Sequence, residues 1–562
     1  MCGLSGVILK VPDRIRITQY IEEMNNKIEH RGPDGQGVYY NQNIGFGHRR
    51  LSIIDLGTQS NQPMHYNSHT IIFNGEIYNF KQLRQELKLL GYCFQTNSDT
   101  EVLLTAYVEW GDECISKLNG MWAFAIHNRE TNKVFISRDR FGIKPLYFMI
   151  NSSNEFFFAS EPKQLYTNSL KKVNTDTLNL YLLNNKEETT EETFFEGIKK
   201  LPAGHNLTLD TNTLQYSVAK YYDLESAESN SNFDTVFTSS IDLQLTSDVP
   251  LGLFLSGGID SSLIAFYASK RSHQSLKAIH GRSIQKEWDE SKYANIVANK
   301  CDIPLFETAP TENDFHDLVE STIYQLDEPF GSASILMQNN VMRKAAEQGC
   351  KVMLDGQGAD EVFLGYENTF IVYFMNLMKQ KRSAKIAYEF LRLKNHKVKR
   401  KALYNRLKTY NDKQISNFDI NKYIRNNLIA NNIPKLLKYA DRNSMANSIE
   451  VRLPFLDHRV VEHGISLPVD QRIKHGYLKY HLRKNLVGKL PNSIVWRTNK
   501  FGFEAPEKNW LEPNRNLIIN EINNNDYLAE LVKQHNPNFD NLKTLWKYYN
   551  VAKWQTAFSL SI

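Results

Sequence analysis

The stretch "LGLFLSGGIDSS", Leu251–Ser262, constrains the fold of this 562-residue chain more than any other. An apolar run ends at Leu255. Ser256, Gly257 and Gly258 make a tight loop, and a helix is predicted from about Ser261. Strand, glycine loop and helix are the repeating unit of a parallel sheet, and the alternation continues downstream. "SLKAIHG" and "KVMLDG" read as further strands, with "DESKYANIVANK" and "NNVMRKAAEQG" as helices between them. Such alternation predicts an α/β, doubly wound parallel sheet with helices on both faces. After about residue 366 the chain reads as mostly helical.

Glycines let backbone N–H groups approach an anion closely, and the new helix adds its positive end. That geometry suits pyrophosphate. Asp260 cannot favour a phosphate by itself, but it makes sense as a ligand for Mg²⁺ bridging to phosphate oxygens. A second loop, "LDGQGADE", follows the strand at Val352 and Met353 and carries Asp355, Asp360 and Glu361. Ligands of doubly wound sheets sit beyond the carboxyl ends of the strands, which predicts Asp260 and Asp360 at one site. No GxxxxGK[ST] is present, so a Walker site is not expected.

The first ~200 residues have another texture, short strands and turns with fewer helices, as a domain of the usual ~150 residues or somewhat more would show. "HTIIFNGEIYNF" is an apolar run ending in an Asn-Gly turn signal, and "MWAFAIHNRETNKVFISRDRFG" reads as a hairpin. "SDTEVLLTAYVEWG" predicts a helix, with Ser98 and Glu101 as a capping box and Gly111 as its stop. A polar stretch places the boundary near residues 206–232, giving domains 2–212 and 213–562.

Cys2 raises a chemical question. As a first residue it would carry a thiol and a free α-amine, with reference pKa values of about 8.5 and about 7.7–8.0. The amine could then take the thiol's proton, making a nucleophile with its own base. The other cysteines are Cys93, Cys114, Cys301 and Cys350. An odd count without C-x-x-C argues against a disulfide framework or zinc site and predicts a reducing cytoplasm. A formal charge of +5 over this length argues against a nucleic-acid partner. No run of about 18 apolar residues predicts a membrane span, and Lys10 and Asp13 break the only apolar stretch at the start.

With these motifs in order, the chain resembles the glutamine-dependent asparagine synthetases. SGGxDS is the PP-loop signature of ATP pyrophosphatases, and "MCGLSG", "RGPDGQG", "GHRRLSIIDL", "FNGEIYNF", "TNSDTEVLL", "SRDRFGIKPLYF" and "NSIEVRLPFLDHR" complete the pattern. The resemblance implies an α+β N-terminal-nucleophile amidotransferase domain, a two-layer β sandwich with helices, followed by an α/β PP-loop synthetase domain with a helical C-terminal part. It implies that Cys2 attacks glutamine's amide carbon, with the Asn74 side chain and Gly75 N–H as the oxyanion hole. Arg50 would bind the glutamine carboxylate, Arg49 being the neighbouring alternative, and Glu76 and Asp99 would lie near its amino end. ATP and pyrophosphate would be bound by Phe254, Leu255, Ser256, Gly257, Gly258, Asp260, Ser261, Gly281, Asp355, Gly356 and Lys500. Lys479 is the rival lysine, because Lys500 stands one position further from Arg497 than the family spacing. Asp260 and Asp360 would hold Mg²⁺. Gln357, Tyr366 and Asp441 would lie beside the acceptor and its acyl intermediate. A dry internal passage would carry ammonia between the sites; the sequence leaves the assembly open, a homodimer being one candidate.

The chain departs from the family at Gln357, where SGEGSDE or SGDGADE places an acid. Gln357 can only hydrogen-bond. Aspartate is the acceptor expected first, a uronic acid sugar is the alternative, and an ATP sensor without catalysis is a third reading. Residues 379–401 hold ten Lys or Arg against one Glu. They read as a solvated helical face, or as a surface for an anionic acceptor, partner or membrane.

Overall fold

The computed structural model of the protein describes residues 2–166, 172–188, 190–224, 231–309, 311, 314–393, 400–499 and 505–560. The first 220 residues supply β1 (Gly3–Ile8), β2 (Gly35–Asn41), β3 (Ile44–Arg50), β4 (Met64–Tyr66), β5 (His69–Ile77), β6 (Gly120–Asn128), β7 (Lys133–Arg138), β8 (Tyr147–Ile150), β9 (Phe156–Ala159), β10 (Lys199–Lys200), β11 (His205–Asp210) and β12 (Tyr216–Lys220). They form two six-stranded sheets, ordered β10-β8-β9-β1-β3-β2 and β12-β11-β7-β6-β5-β4. Neighbours within each run antiparallel.

Side chains alternate across a strand, and here both faces are covered. Ile72 of β5 and Ala123 and Ala125 of β6 meet Leu4, Ile44 and Phe158 between the sheets. Ile71, Phe73, Trp122 and Phe124 point the other way, onto helices Phe80–Leu89 and Asp99–Trp110. Two-sided burial explains why these strands read as apolar runs.

The Asn-Gly pair expected as a turn lies inside β5. Gly75 adopts φ +156°, and a Cβ there would come 2.1 Å from Met121 O. The glycine lets β6 approach rather than turning the chain. The predicted helix forms at Asp99–Trp110 with Ser98 as its cap, and Gly111 ends it at φ 57°. The capping box does not form, because Glu101 turns away from Ser98 to accept from Gln95 N, Thr96 N and Thr96 Oγ1. The hairpin β6–β7 is as expected. Strand β12 lies beyond residue 212 yet pairs with β11, within the 206–232 window.

The second half builds a five-stranded parallel sheet from β13 (Leu251–Phe254), β14 (Lys277–Gly281), β15 (Leu305–Thr308), β16 (Val352–Leu354) and β17 (Glu450–Arg452). The order β15-β14-β13-β16-β17 reverses direction between β13 and β16. Those two neighbours lead into the glycine loop and the acidic loop, so both loops open at the switch point. The helix after β13 begins at Ile259, slightly earlier than expected. Helices dominate after residue 366.

One apolar cluster joins the halves. Leu51, Ile53, Met121 and Ile143 belong to the same core as Leu354, Leu453 and Phe455. A second carries Trp510, Trp546 and Trp554 of the C-terminal helices onto Val7, Tyr147 and Phe157 of the first sheet. In the basic segment, Ser383–Arg392 is helical, and its one acid, Glu389, turns inward to accept from His475 N at 3.1 Å and Gly476 N at 2.8 Å. Arg382 and Lys385 both pair with Asp470, and residues 394–399 lie outside the described part. Among the described residues no helix is long and apolar enough to cross a membrane.

Candidate active sites

Cys2 sits at the head of β1, 8% exposed, in a small cavity lined by Arg50, Leu51, Phe73, Gly75, Glu76, Asp99 and Glu450. Its volume, about 30 Å³, leaves room for little more than one water. Cys2 N donates to Asn74 Oδ1 at 3.1 Å. That contact orients the amide and leaves Asn74 Nδ2 buried without a hydrogen-bond partner. A buried N–H without an acceptor is costly, so an oxyanion arriving beside Cys2 would find a donor in place. Burial pushes the Cys2 thiol up, and the Arg50 charge opposes this.

Alternation on β3 separates the two candidate arginines. Arg49 turns to Asn25 O and Asn26 Oδ1, each at 3.1 Å, whereas Arg50 faces the cavity. Arg50 holds Gly57 O at 2.7 Å, Asn61 Oδ1 at 2.8 Å and Asp55 O. Those bonds fix the Arg50 guanidinium against loop 51–61 at the edge of the cavity. Asp99, in the first turn of its helix, accepts from Ile77 N at 3.0 Å. Burial raises its carboxyl to about 6. Glu76 is pushed well up, by burial first and then by Asp99, while Arg452 pulls it down.

The second site opens at the switch point. A cavity of about 320 Å³ is lined by Phe254, Ser256, Asp260, Ser261, Gly281, Asp355, Gly356, Gln357, Asp360, Glu361 and Tyr366. An apolar cavity of about 380 Å³ adjoins it, lined by Phe254, Leu255, Ile279, Val341, Met342 and Leu436. Gly257 is left-handed at φ +70°, and a Cβ there would lie 2.5 Å from Tyr293 C. Ser261 Oγ accepts from Ser256 N at 3.2 Å, bracing the glycine turn. Asp355 N donates to Arg452 O at 2.9 Å, tying the acidic loop to β17.

Lys479 is the residue the sequence ranked second and the structure places centrally. Its Nζ lies 2.5 Å from Asp260 Oδ2 and 2.6 Å from Asp360 Oδ1. A Cβ on Gly365 would come within 1.9 Å of Lys479 Cε, so that glycine leaves the lysine its path. Lys500 lies outside the described residues. A cation thus fits between Asp260 and Asp360, which suits Mg²⁺, an ion commonly held by one or two carboxylates plus substrate phosphates.

Asp441 is not beside Tyr366. Tyr366 donates to Glu361 at 2.5 Å, whereas Asp441 pairs with Arg31 of the first domain at 2.8 and 3.1 Å. Buried cations at the domain junction take it from the acyl site. Burial, with Asp360 nearby, raises Glu361 to about 7. Sequence reasoning gave no role to Glu450 or Arg452. Their one signal was Glu-x-Arg, which puts both side chains on one face of a short strand.

Fold and sites define a two-domain glutamine amidotransferase joined to an ATP-dependent ligase. Residues 1–222 match the glutamine amidotransferase domain and residues 232–556 match asparagine synthase. The chain is 31% identical to asparagine synthetase (glutamine-hydrolyzing) 1 of Bacillus subtilis (strain 168), over 99% of this chain and 96% of that one. It is 27% identical to asparagine synthetase B (glutamine-hydrolyzing) of Escherichia coli (strain K12), over 93% and 85%. A putative asparagine synthetase 2 of Methanocaldococcus jannaschii is 33% identical over 68% and 78%. The chain belongs to the glutamine-hydrolysing asparagine synthetase family, which sets aside the reading as an ATP sensor without catalysis.

Proposed function

We propose that this enzyme makes asparagine from aspartate, glutamine and ATP, releasing glutamate, AMP and pyrophosphate. The observation that carries it is a pair of complementary sites in one chain, a cysteine cavity with a waiting amide donor and a glycine loop facing two acids. The relatives' names support aspartate as the acceptor.

In the first domain Cys2, terminal after removal of Met1, attacks the amide carbon of glutamine, and its α-amine takes the thiol proton. Asn74 Nδ2 and Gly75 N–H receive the oxyanion, collapse expels ammonia with the proton the α-amine took, and water then hydrolyses the glutamyl thioester, releasing glutamate and restoring the Cys2 thiol. Arg50 binds the α-carboxylate, and Glu76 and Asp99 the α-ammonium. These two acids bind best when charged. The KM for glutamine is therefore expected to rise as pH falls through the Asp99 value of about 6. One competing proton makes it about tenfold higher at pH 5 than at pH 7. A flat KM in steady-state glutaminase assays across that range would remove both acids from the role.

In the second domain the glycine loop, Ser256 and Ser261 cradle the phosphates, and the apolar cavity takes the adenine. Asp260 and Asp360 would hold Mg²⁺, which would neutralise phosphate charge, once Lys479 turns from them to the phosphates. The acceptor carboxylate attacks the α-phosphorus, pyrophosphate leaves toward Lys479, and ammonia then displaces AMP from the acyl carbon. Leu51, Met121 and their apolar neighbours offer ammonia a dry way between the sites. Gln357 keeps a buried Oε1 without a hydrogen-bond partner, an acceptor for the aspartate α-ammonium or for a sugar hydroxyl. A uronic acid sugar therefore stands as the second reading. Pyrophosphate release with ATP, Mg²⁺ and glutamine is expected to require aspartate. Release that needs a uronic acid and ignores aspartate would replace the first reading with the second.

A further inference from the structure

The basic stretch after residue 379 lines neither the cysteine cavity nor the ligase cavities. Residues 379–408 hold twelve Lys or Arg and one acid, Glu389, a formal +11 in a chain whose total is +5. Everything outside the stretch is therefore net negative. Lys394, Lys397 and Lys399 lie outside the described residues. The other cations sit on or beside two helices, Ser383–Arg392 and Arg400–Leu407, joined where Arg400 Nη2 donates to Leu391 O at 2.5 Å.

The first helix is fixed with an apolar side outward. Ile386 and Phe390 pack on the core, and Glu389 accepts from His475 N and Gly476 N, so the single acid is the one turned inward. Residues three and four apart share a helix face. Ala384, Ala387, Tyr388 and Leu391 thus form one exposed stripe, with Tyr388 43% and Leu391 63% open to solvent. Lys381 and Arg392 stand at its two ends, and the second helix exposes Lys401, Tyr404, Arg406 and Lys408.

We propose that this face docks on an anionic phospholipid bilayer, with Tyr388 and Leu391 entering the headgroup region and the cations meeting lipid phosphates. An amphipathic helix lies in the interface plane and binds through buried apolar area plus attraction to anionic lipid. Clusters of about four to eight cations on such a helix are the pattern that recognises anionic headgroups. The net-negative remainder gives the attraction a direction, since an anionic leaflet draws this face and repels the rest. RNA is the other polyanion the charge would fit, but single strands are held by open aromatic faces. Here the Arg392 guanidinium stands 4.8 Å from the Tyr388 ring centre and the Lys408 ammonium 4.5 Å from that of Tyr404, so each ring has one face taken. Leu391 offers RNA nothing, whereas a bilayer uses both stripe and charge.

Co-sedimentation of the full-length protein with vesicles of phosphatidylcholine, alone or with about 30% phosphatidylglycerol, tests the proposal. Binding is expected only with the anionic vesicles, and it should weaken at least about tenfold between about 0.1 and 0.5 M NaCl. Each cation beside an anionic surface strengthens binding about fivefold. Combining Lys381→Gln, Arg392→Gln, Lys401→Gln and Arg406→Gln should therefore weaken it by about 100-fold or more. Leu391→Gln should cost about three- to tenfold with the charge unchanged. Both variants should keep wild-type pyrophosphate release with soluble substrates, because none of the five residues lines a cavity described above, and that activity also reports folding. If the fourfold variant loses it, the Leu391 variant and the wild-type salt series decide the matter. No binding of wild type to anionic vesicles, binding that survives in a folded fourfold variant or ignores salt, or a Leu391 variant equal to wild type overturns the proposal. So does binding to a single-stranded RNA homopolymer with the vesicles left untouched.

Discussion

Replacing Cys2 with alanine is expected to abolish glutamine hydrolysis, a loss on the order of 10⁴- to 10⁶-fold, as for other covalent nucleophiles. Added ammonium salt should still support amidation and pyrophosphate release. The reason lies in the separation of the two sites. Cys2 lines the first cavity, whereas Ser256, Ser261, Asp260 and Asp360 line the second and Lys479 pairs with those two acids. Ammonium-supported synthesis should climb with pH, because unprotonated ammonia attacks the acyl carbon. Asn74→Ala should cost less, about 10²- to 10³-fold, since it removes an oxyanion donor and leaves the nucleophile. The measurement is glutamate and pyrophosphate release, each with glutamine and with ammonium chloride. Glutamate formed at the normal rate by the Cys2 variant would end the nucleophile assignment. A variant that also fails with ammonium would show that Cys2 serves the ligase half too.

The sequence spoke clearly wherever function is local. The glycine loop, the acid loop and the Ser98 cap need neighbours a few residues away, and each appears where expected. Gly75 misled for a tertiary reason. Its missing Cβ makes room for Met121 O across the sheet, and an Asn-Gly pair looks the same in a turn. Glu101 left its capping box because the loop at Gln95 and Thr96 offered three donors. Lys479 reaches Asp260 across 219 positions, and Asp441 reaches Arg31 across 410. No spacing rule covers such separations. Glu450 and Arg452 were hidden differently. Two charges in a three-residue strand look like surface, and only a second domain against that face turns them into a buried wall.

Arg31→Met is expected to loosen the junction between the domains. Arg31 is fully buried and serves three partners. It donates to Cys2 O at 3.0 Å, to Glu161 at 2.7 Å and to Asp441 at 2.8 and 3.1 Å. Methionine fills much of the volume but leaves two buried carboxylates short of a cation, a class of change that costs about 3–5 kcal/mol. The denaturation midpoint should fall accordingly, and glutaminase activity should fall with it, because the carbonyl of the nucleophile loses its donor. Burial pushes both acids up, yet Lys163 and Arg442 hold Glu161 well below its ordinary value, and Arg31 holds Asp441 below. Depressed carboxyls stabilise the fold above their unfolded values, about 4, and that contribution is lost as pH falls toward the folded values. Because the unfolded values cancel between the two proteins, the gap should be widest at neutral pH and above and should narrow as pH falls through the variant's carboxyl values, which lie above the wild-type ones once Arg31 is gone. Combining Arg31→Met with Asp441→Leu should cost less than the two changes summed, because the second removes an acid the first left unpaired. An Arg31→Met protein as stable as wild type at neutral pH would mean that Arg442 and Lys163 alone balance the cluster, and that Arg31 serves Cys2 and not the junction.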